Sequence, residues 1–376
     1  MNQVVPKAVQ RAAQSGPLIV VLNAGSGKTG ADERTETLTR VFAAAGREAE
    51  FLPIDTPERI GATAAQAVKR AKAVKGVVVA AGGDGTLNAV AQAVLGSGCP
   101  YGVLPQGTFN YFGRAHGIPQ DIEAAAKALL GASVEPVQAG VVNGHIFLVN
   151  GSLGLYPRLL EDREAYKQQL GRSRWVALVS GLSTLLHEHR RLDLEIESGG
   201  KKRHLRTPTL FVGNNALQFA RIGMVDAADA LGRGELAAIA VREIGTMSML
   251  GLALRGLLGQ LGAAENLTQF NFRRLTVKAR RERIMKVATD GEIHLLKTPL
   301  VFEVAREPLM LLVPCEADRV KVERPPPATD HAARGEGDER VVTDFRPPFR
   351  DRAAPRGRGV GGHGAVGSAR CRGALG

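Results

Sequence analysis

The sequence predicts an α/β domain followed by a mostly antiparallel β domain, and three observations carry that prediction. Over the first hundred or so residues, short β-branched runs alternate with helical stretches, the pattern of a parallel sheet with crossover helices. After Pro136 the rhythm changes to closely spaced strands. A glycine-rich loop directly follows each of three strands in the first part.

In chain order, Leu18 to Leu22 reads as a buried strand, Ala31 to Ala45 and Ala62 to Ala73 as helices, and Gly76 to Ala81 as a second strand. Leu87 to Leu95 reads as a helix, Tyr101 to Leu104 as a short strand, and Asp121 to Leu130 as a helix capped by Asp121. Strands are then expected at Val137 to Val142, Ile146 to Asn150, Leu192 to Ile196, Thr209 to Val212, Glu235 to Val241, Phe270 to Val277 and Arg283 to Ala288. Helices are expected at Arg174 to His187 and Met247 to Leu261. The domains therefore span 17–137 and 138–324, with a last strand free to return to the first domain. From Pro325 onward there are 10 Gly and 6 Pro in 52 residues, so 325–376 is expected to be a disordered tail.

Composition narrows the function classes. The 376 residues are 44% hydrophobic, the balance of a water-soluble chain with a substantial core. The longest apolar stretch, Ile244 to Leu261, is broken by Arg255 and four glycines and falls short of the ~20 residues of a bilayer span. Lys7 and Arg11 have no apolar run behind them, so no signal peptide is read. Cys99, Cys315 and Cys371 are odd in number and far apart, which fits a reducing cytoplasm and no disulfide framework. The net charge of +12 predicts attraction to polyanions, but with 5% aromatics there is no stacking platform for single-stranded nucleic acid. The histidines, including His187 and His189, have no metal-ligand spacing.

The three loops are Asn23 to Thr29, Gly82-Gly83-Asp84-Gly85-Thr86, and Leu104 to Asn110. In an open parallel sheet the carboxyl ends of the strands line one crevice, and loops without side chains let backbone N–H groups approach phosphate. Gly27-Lys28-Thr29 ends like a triphosphate loop, but position 22 is Leu where that motif needs its opening glycine. In the second loop Thr86 is placed to cap the next helix, and phosphate would sit at that helix N-terminus. A carboxylate at Asp84 would repel phosphate unless a metal or a substrate proton intervenes, which suggests a catalytic role. Far downstream, Asp290-Gly291-Glu292 puts two carboxylates around a glycine. On an extended segment they point the same way and could share a hard cation, whereas DG is also a common hairpin tip.

Taken together, these motifs resemble the diacylglycerol kinase catalytic-domain family, which includes bacterial lipid kinases and sphingosine and ceramide kinases. The match runs from Leu18 to Pro314 and includes the unaltered Gly82 to Thr86, Leu104 to Asn110, Asn150 to Gly154, and Asp290 to Glu292. The resemblance implies an α/β nucleotide-binding domain, a β-sandwich domain and ATP in the cleft between them. It implies that Gly82, Gly83, Gly85, Thr86, Asn88, Gly107 and Thr108 approach ATP, with Asn23, Ser26, Gly27 and Thr56 nearby, and that Arg174 reaches the triphosphate. Asp290 is then the first choice for the base that takes the proton of a lipid hydroxyl. Glu292 with Asp290 would bind Mg²⁺, Asp84 would orient metal or acceptor, and the roles of Asp84 and Asp290 are exchangeable. Asp84→Asn and Asp290→Asn are each expected to abolish transfer while leaving thermal unfolding within a few degrees.

Two departures from the family pattern stand out. Phe109 and Tyr111 occupy positions where many bacterial lipid kinases have Gly and Asp, and Leu231 to Leu236 has Arg233 where relatives often have the aspartate of L-x-D-G-x-L, which helps hold a structural cation. The acceptor is expected to be diacylglycerol or a related lipid, reached as a peripheral cytoplasmic enzyme at an anionic membrane face. The Met/Leu stripe of 244–261 and the basic run Arg273 to Lys286 are the candidate contacts, packed core and a solvated face being their plainer readings. A homodimer stays open, as do an NAD kinase-like enzyme and a non-catalytic nucleotide- or lipid-binding module.

Overall fold

The computed structural model describes residues 5–23, 28–155, 157, 192–242, 266–280 and 282–321. Ser26, Gly27, Arg174, the helices expected at 174–187 and 247–261, and the tail 325–376 lie outside the described residues.

The central strands of the first sheet are unbroken apolar runs. In β1 (Leu18–Asn23) and β3 (Val77–Gly82) nearly every side chain is buried, as expected for strands covered on both faces. β2 (Ala49–Ile54) and β4 (Tyr101–Pro105) flank them in parallel register, Leu18 opposite Ala49 and Val78 opposite Tyr101. The crossovers are α2 (Lys28–Ala44), α3 (Ile60–Val74) and α4 (Asp84–Val94). α1 (Lys7–Ser15), not foreseen from the sequence, precedes β1 and buries Val9, Ala12 and Ala13. Beyond β4 come α5 (Tyr111–Ala115) and α6 (Ile122–Leu130); Asp121 caps α6 as expected, accepting from the Ala124 amide at 2.9 Å.

The strand expected over Val137 to Val142 is two strands in two sheets. β5 (Ser133–Val137) closes the edge of the first sheet, while β6 (Gly140–Val142) starts the second region. Likewise Ile146 to Asn150 divides into β7 (His145–Phe147) and β8 (Asn150–Gly154), and the run Phe270 to Val277 is cut at Arg273. Apolar runs cannot by themselves show where a chain changes sheets.

The second region continues with β9 (Leu192–Ser198), β10 (Lys201–Thr207) and β11 (Thr209–Gly213), then α7 (Ala216–Arg221) and α8 (Val225–Gly232). β12 (Leu236–Val241), β13 (Leu267–Phe272), β14 (Arg274–Ala279), β15 (Ile284–Thr289), β16 (Glu292–Lys297) and β17 (Leu300–Val304) follow. These strands make two antiparallel sheets, ordered β10-β9-β14-β17-β6-β7 and β13-β12-β11-β8-β15-β16. Leu194, Val277 and Phe302 from one sheet share a core with Leu153, Val212 and Val287 from the other, so the two form a sandwich. The last strand, β18 (Leu309–Val313), lies between β4 and β5, giving the first sheet the order β2-β1-β3-β4-β18-β5. β10 escaped sequence reading because Lys201, Lys202, Arg203 and Arg206 mask its alternation; charged edges of this kind also deter unwanted strand pairing. Among the described residues no helix is long and apolar enough to cross a membrane.

Candidate active site

In the order β2-β1-β3-β4 the chain leaves β1 in opposite directions, so the topological switch point falls between β1 and β3. Asn23 ends β1 and Gly82 ends β3, so both strand ends open on that crevice. The Asn23 amide donates to Thr86 Oγ1 at 3.0 Å, closing the crevice floor.

Helix α4 begins at Asp84, three residues earlier than the sequence suggested. Thr86 is therefore not the cap. It is buried in the first turn, and Gly83 occupies the cap position with no side-chain hydrogen bond to the helix. The first amides of any helix lack intrahelical partners, so those of Asp84, Gly85 and Thr86 are left for an external acceptor. Tyr101 fixes the helix from below, its hydroxyl donating to the Leu87 carbonyl at 2.7 Å.

The glycines of these loops serve packing before ligand access. A Cβ on Gly82 would stand 2.6 Å from Thr86 Cβ, and one on Gly107 would stand 2.7 Å from Asn110 Oδ1 and 2.8 Å from Gly83 Cα. Loops two and three thus lie backbone against backbone. Asn110, at φ 48°, holds the third loop in shape by accepting from the Gly107 amide and donating to the Gly107 carbonyl, both at 2.8 Å. Because Gly83 backbone cannot yield as a flexible side chain would, Gly107→Ala is expected to cost about 1–3 kcal/mol. Chemical denaturation of the variant checks this.

Asp290 and Gly291 are the two central residues of a hairpin turn between β15 and β16, both with positive φ (49° and 94°), and Thr289 pairs with Glu292. The expectation of an extended Asp-Gly-Glu segment is thereby corrected: a two-residue turn of this kind separates the two acids. The hairpin tip nonetheless reaches the glycine loops. Asn88, one turn into α4, donates to Asp290 Oδ2 at 2.6 Å, and Glu292 Oε1 lies 3.4 Å from where a Gly85 Cβ would be. Residues 202 positions apart are in contact.

The three acids have different surroundings. Asp290 Oδ2 accepts from Asn88 and from the Leu148 amide, both at 2.6 Å, while Oδ1 accepts from the Val149 and Asn150 amides at 2.9 and 2.8 Å. A carboxylate has about four lone-pair sites, and here all four are taken. In this conformation neither oxygen has room for a substrate proton or a cation. Burial pushes the Asp290 carboxyl up to about 6 although these donors oppose the rise. Asp84 differs: its Oδ1 is buried without a protein hydrogen-bond partner. Burial raises its pKa, opposed by the amides of Phe112, Asn110 and Tyr111 at the start of α5. Glu292 is exposed at the turn, and partial desolvation by the neighbouring protein raises its pKa. Among the described residues no three His, Cys, Asp or Glu side chains cluster as a metal site.

Asn88 points away from the nucleotide role assigned to it, since its side-chain amide is spent on Asp290 and on the Ile146 carbonyl at 3.1 Å. Gly107 and Thr108 are exposed at the crevice rim, and Thr56 precedes a short 3-10 turn after β2. Sequence reading missed the amides of Leu148, Val149 and Asn150, because backbone donors leave no residue-type signal. Part of the basic run is paired: Arg274 with Glu303, and Arg280 3.9 Å from Asp193. Arg233 pairs with Glu235 at 3.7 Å.

The sequence signature of the diacylglycerol kinase catalytic domain matches residues 17–142. Over this stretch the chain is similar to the diacylglycerol kinase catalytic-domain family. The stretch contains β1 to β4 and the two loops, Gly82 to Thr86 and Leu104 to Asn110, that pack against each other, whereas the acids of the β15–β16 hairpin lie beyond it. A protein of Klebsiella pneumoniae (strain 342) named "Probable lipid kinase YegS-like" is 35% identical over 145 residues, 36% of this chain and 46% of that protein. The "Diacylglycerol kinase" of Bacillus subtilis (strain 168) is 36% identical over 129 residues, 33% of this chain and 42% of its own. The chain thus spans less than half the length of these curated relatives. In overall fold it resembles the crystal structure of a diacylglycerol kinase from Bacillus anthracis str. Sterne, with TM-score 0.60 and 20% identity over 80% of this chain and 98% of the other. That likeness extends through the sandwich.

Proposed function

We propose that the protein is an ATP- and Mg²⁺-dependent lipid kinase of the diacylglycerol kinase type, transferring the γ-phosphate to a lipid hydroxyl. The observation that supports this most is the docking of the β15–β16 turn on the N-terminus of α4, which gathers open backbone amides, Asp84 and Glu292 in one place. Phosphoryl transfer needs chiefly positioning and charge neutralisation, and this arrangement supplies both.

The first-turn amides of α4 hold phosphate oxygens. Asp84, whose Oδ1 lacks a partner, is the base: it accepts the proton of the lipid hydroxyl as that oxygen bonds to the γ-phosphorus and the bond to the β–γ bridging oxygen breaks, releasing ADP. This assigns Asp84 the role first given to Asp290. Asp290 becomes a positioning residue, fixing the turn that carries Glu292. Glu292 would hold Mg²⁺, and one protein carboxylate suits an ion that takes its remaining ligands from phosphate and water. When bound, that ion would neutralise charge on the transferring phosphoryl group. Asp290, with its oxygens already saturated, is not among its ligands.

The acceptor is diacylglycerol or a close relative, met from the cytoplasmic side by reversible membrane contact. Incubation of the purified protein with labelled ATP, Mg²⁺ and a membrane lipid extract should give a labelled lipid; absence of any labelled lipid would overturn the reading. The pH profile follows from the direction of the Asp84 shift. A base must be ionised, and burial raises this one above its ordinary value of 3.8. Activity is therefore expected to fall on the acid side with a midpoint above 3.8, measured as kcat/KM against pH.

A further inference from the structure

We propose that Phe109 is a stacking platform for the nucleotide base, and so a nucleotide-binding residue of the proposed reaction. This rests on the nucleotide-binding reading above. Phe109 is 52% exposed although it stands on a tightly held loop. Its ring stacks on Tyr111 with centroids 5.8 Å apart and planes 7° from parallel.

The mount is stiff. Between the two rings Asn110 is bonded to both the N–H and the carbonyl of Gly107, and its amide also donates to Gln120 Oε1 at 2.8 Å. Tyr111 is held in turn by α7: the Asn215 amide donates to the Tyr111 carbonyl at 3.1 Å, and the Arg221 guanidinium lies over the Tyr111 ring, 5.8 Å from its centroid. A flat aromatic surface fixed in advance binds a flat ligand with little ordering cost.

Position selects the ligand. Phe109 follows Thr108 directly, and Gly107 touches Gly83 at the start of α4, where the phosphates are placed. A planar group covalently tied to those phosphates, the purine base, is the occupant within reach of the ring. An acyl chain would gain nothing from the parallel alignment of the two rings.

Calorimetric titration of the full chain with ADP and with tripolyphosphate, which lacks a base, tests this. Base stacking of this kind is worth roughly a tenfold change in affinity on truncation to alanine. Phe109→Ala should weaken ADP by about that factor and leave tripolyphosphate within about twofold, while Phe109→Tyr keeps both near the parent value. The proposal is overturned if ADP affinity is unchanged in Phe109→Ala. It is overturned equally if ADP and tripolyphosphate weaken together, which marks loop collapse, or if only binding to phosphatidylglycerol vesicles falls, which puts the ring at the membrane. A parent protein that binds neither ligand sinks the nucleotide reading itself; a parent that binds ADP as well as Phe109→Ala does sinks only the stacking.

Discussion

Asp84→Asn is expected to abolish phosphoryl transfer, by about 100-fold or more for loss of a general base, with the protein as stable as before. The stability half follows from the sign of the pKa shift. The carboxyl is raised in the folded protein, so its contribution to stability is fully present below the ordinary carboxylate range and lost as pH rises through the folded value. At neutral pH the buried charge is therefore a cost. An amide of the same shape removes it, but at the buried Oδ1 position, which has no hydrogen-bond partner, the hydrogens of the new NH₂ group offset part of that gain. Thermal unfolding at pH 7 should show a midpoint within a few degrees of the parent. A clear fall in midpoint would mean that Asp84 is a structural group, and retained activity would remove it from the chemistry.

Asp290→Asn is expected to do the opposite to stability. Here the shift alone favours the amide: from 3.8 to about 6 it corresponds to about 3 kcal/mol of cost at neutral pH. Donor geometry weighs more. Four N–H groups point at the carboxylate, two on each oxygen. Replacing either oxygen by NH₂ strands two of those donors and the two hydrogens of the new group, each at about 1–3 kcal/mol when buried. The sum exceeds the gain, leaving a net loss of a few kcal/mol. The expectation that both substitutions leave unfolding within a few degrees is therefore kept for Asp84→Asn alone. Calorimetric unfolding of both variants checks the contrast. Asn88→Ala, which removes one of the four donors and leaves the acid, should fall between them. Activity loss in Asp290→Asn without destabilisation would return the base role to Asp290.

The expectations that matched best rest on backbone patterns that read locally. Leu18 to Leu22 and Gly76 to Ala81 can only be interior strands, since each is a short run of apolar residues bounded by loop residues. The Gly-Gly-Asp-Gly-Thr loop was recognisable as a helix entry, although the glycine at the cap moved the helix start to Asp84. The chain crossing at Gln138 and Ala139, between β5 and β6, could not be read, because residues on both sides have equal β character. The Asp-Gly turn illustrates the same limit in the site. Hairpin tip and functional acid were opposed readings of Asp290, and the residue proves to be at the tip with its side chain turned inward.

The order and chemistry of the residues alone determined the alternating first domain, the strand-rich second one and the set of acids and glycines from which a phosphate site can be built. Only the tertiary structure decided which acid has a free oxygen. Lone pairs of Asp290 are filled by amides of Leu148, Val149 and Asn150, from a segment 140 or more residues away. Backbone N–H groups are the same in every residue but proline, so no side-chain identity announces where they will converge.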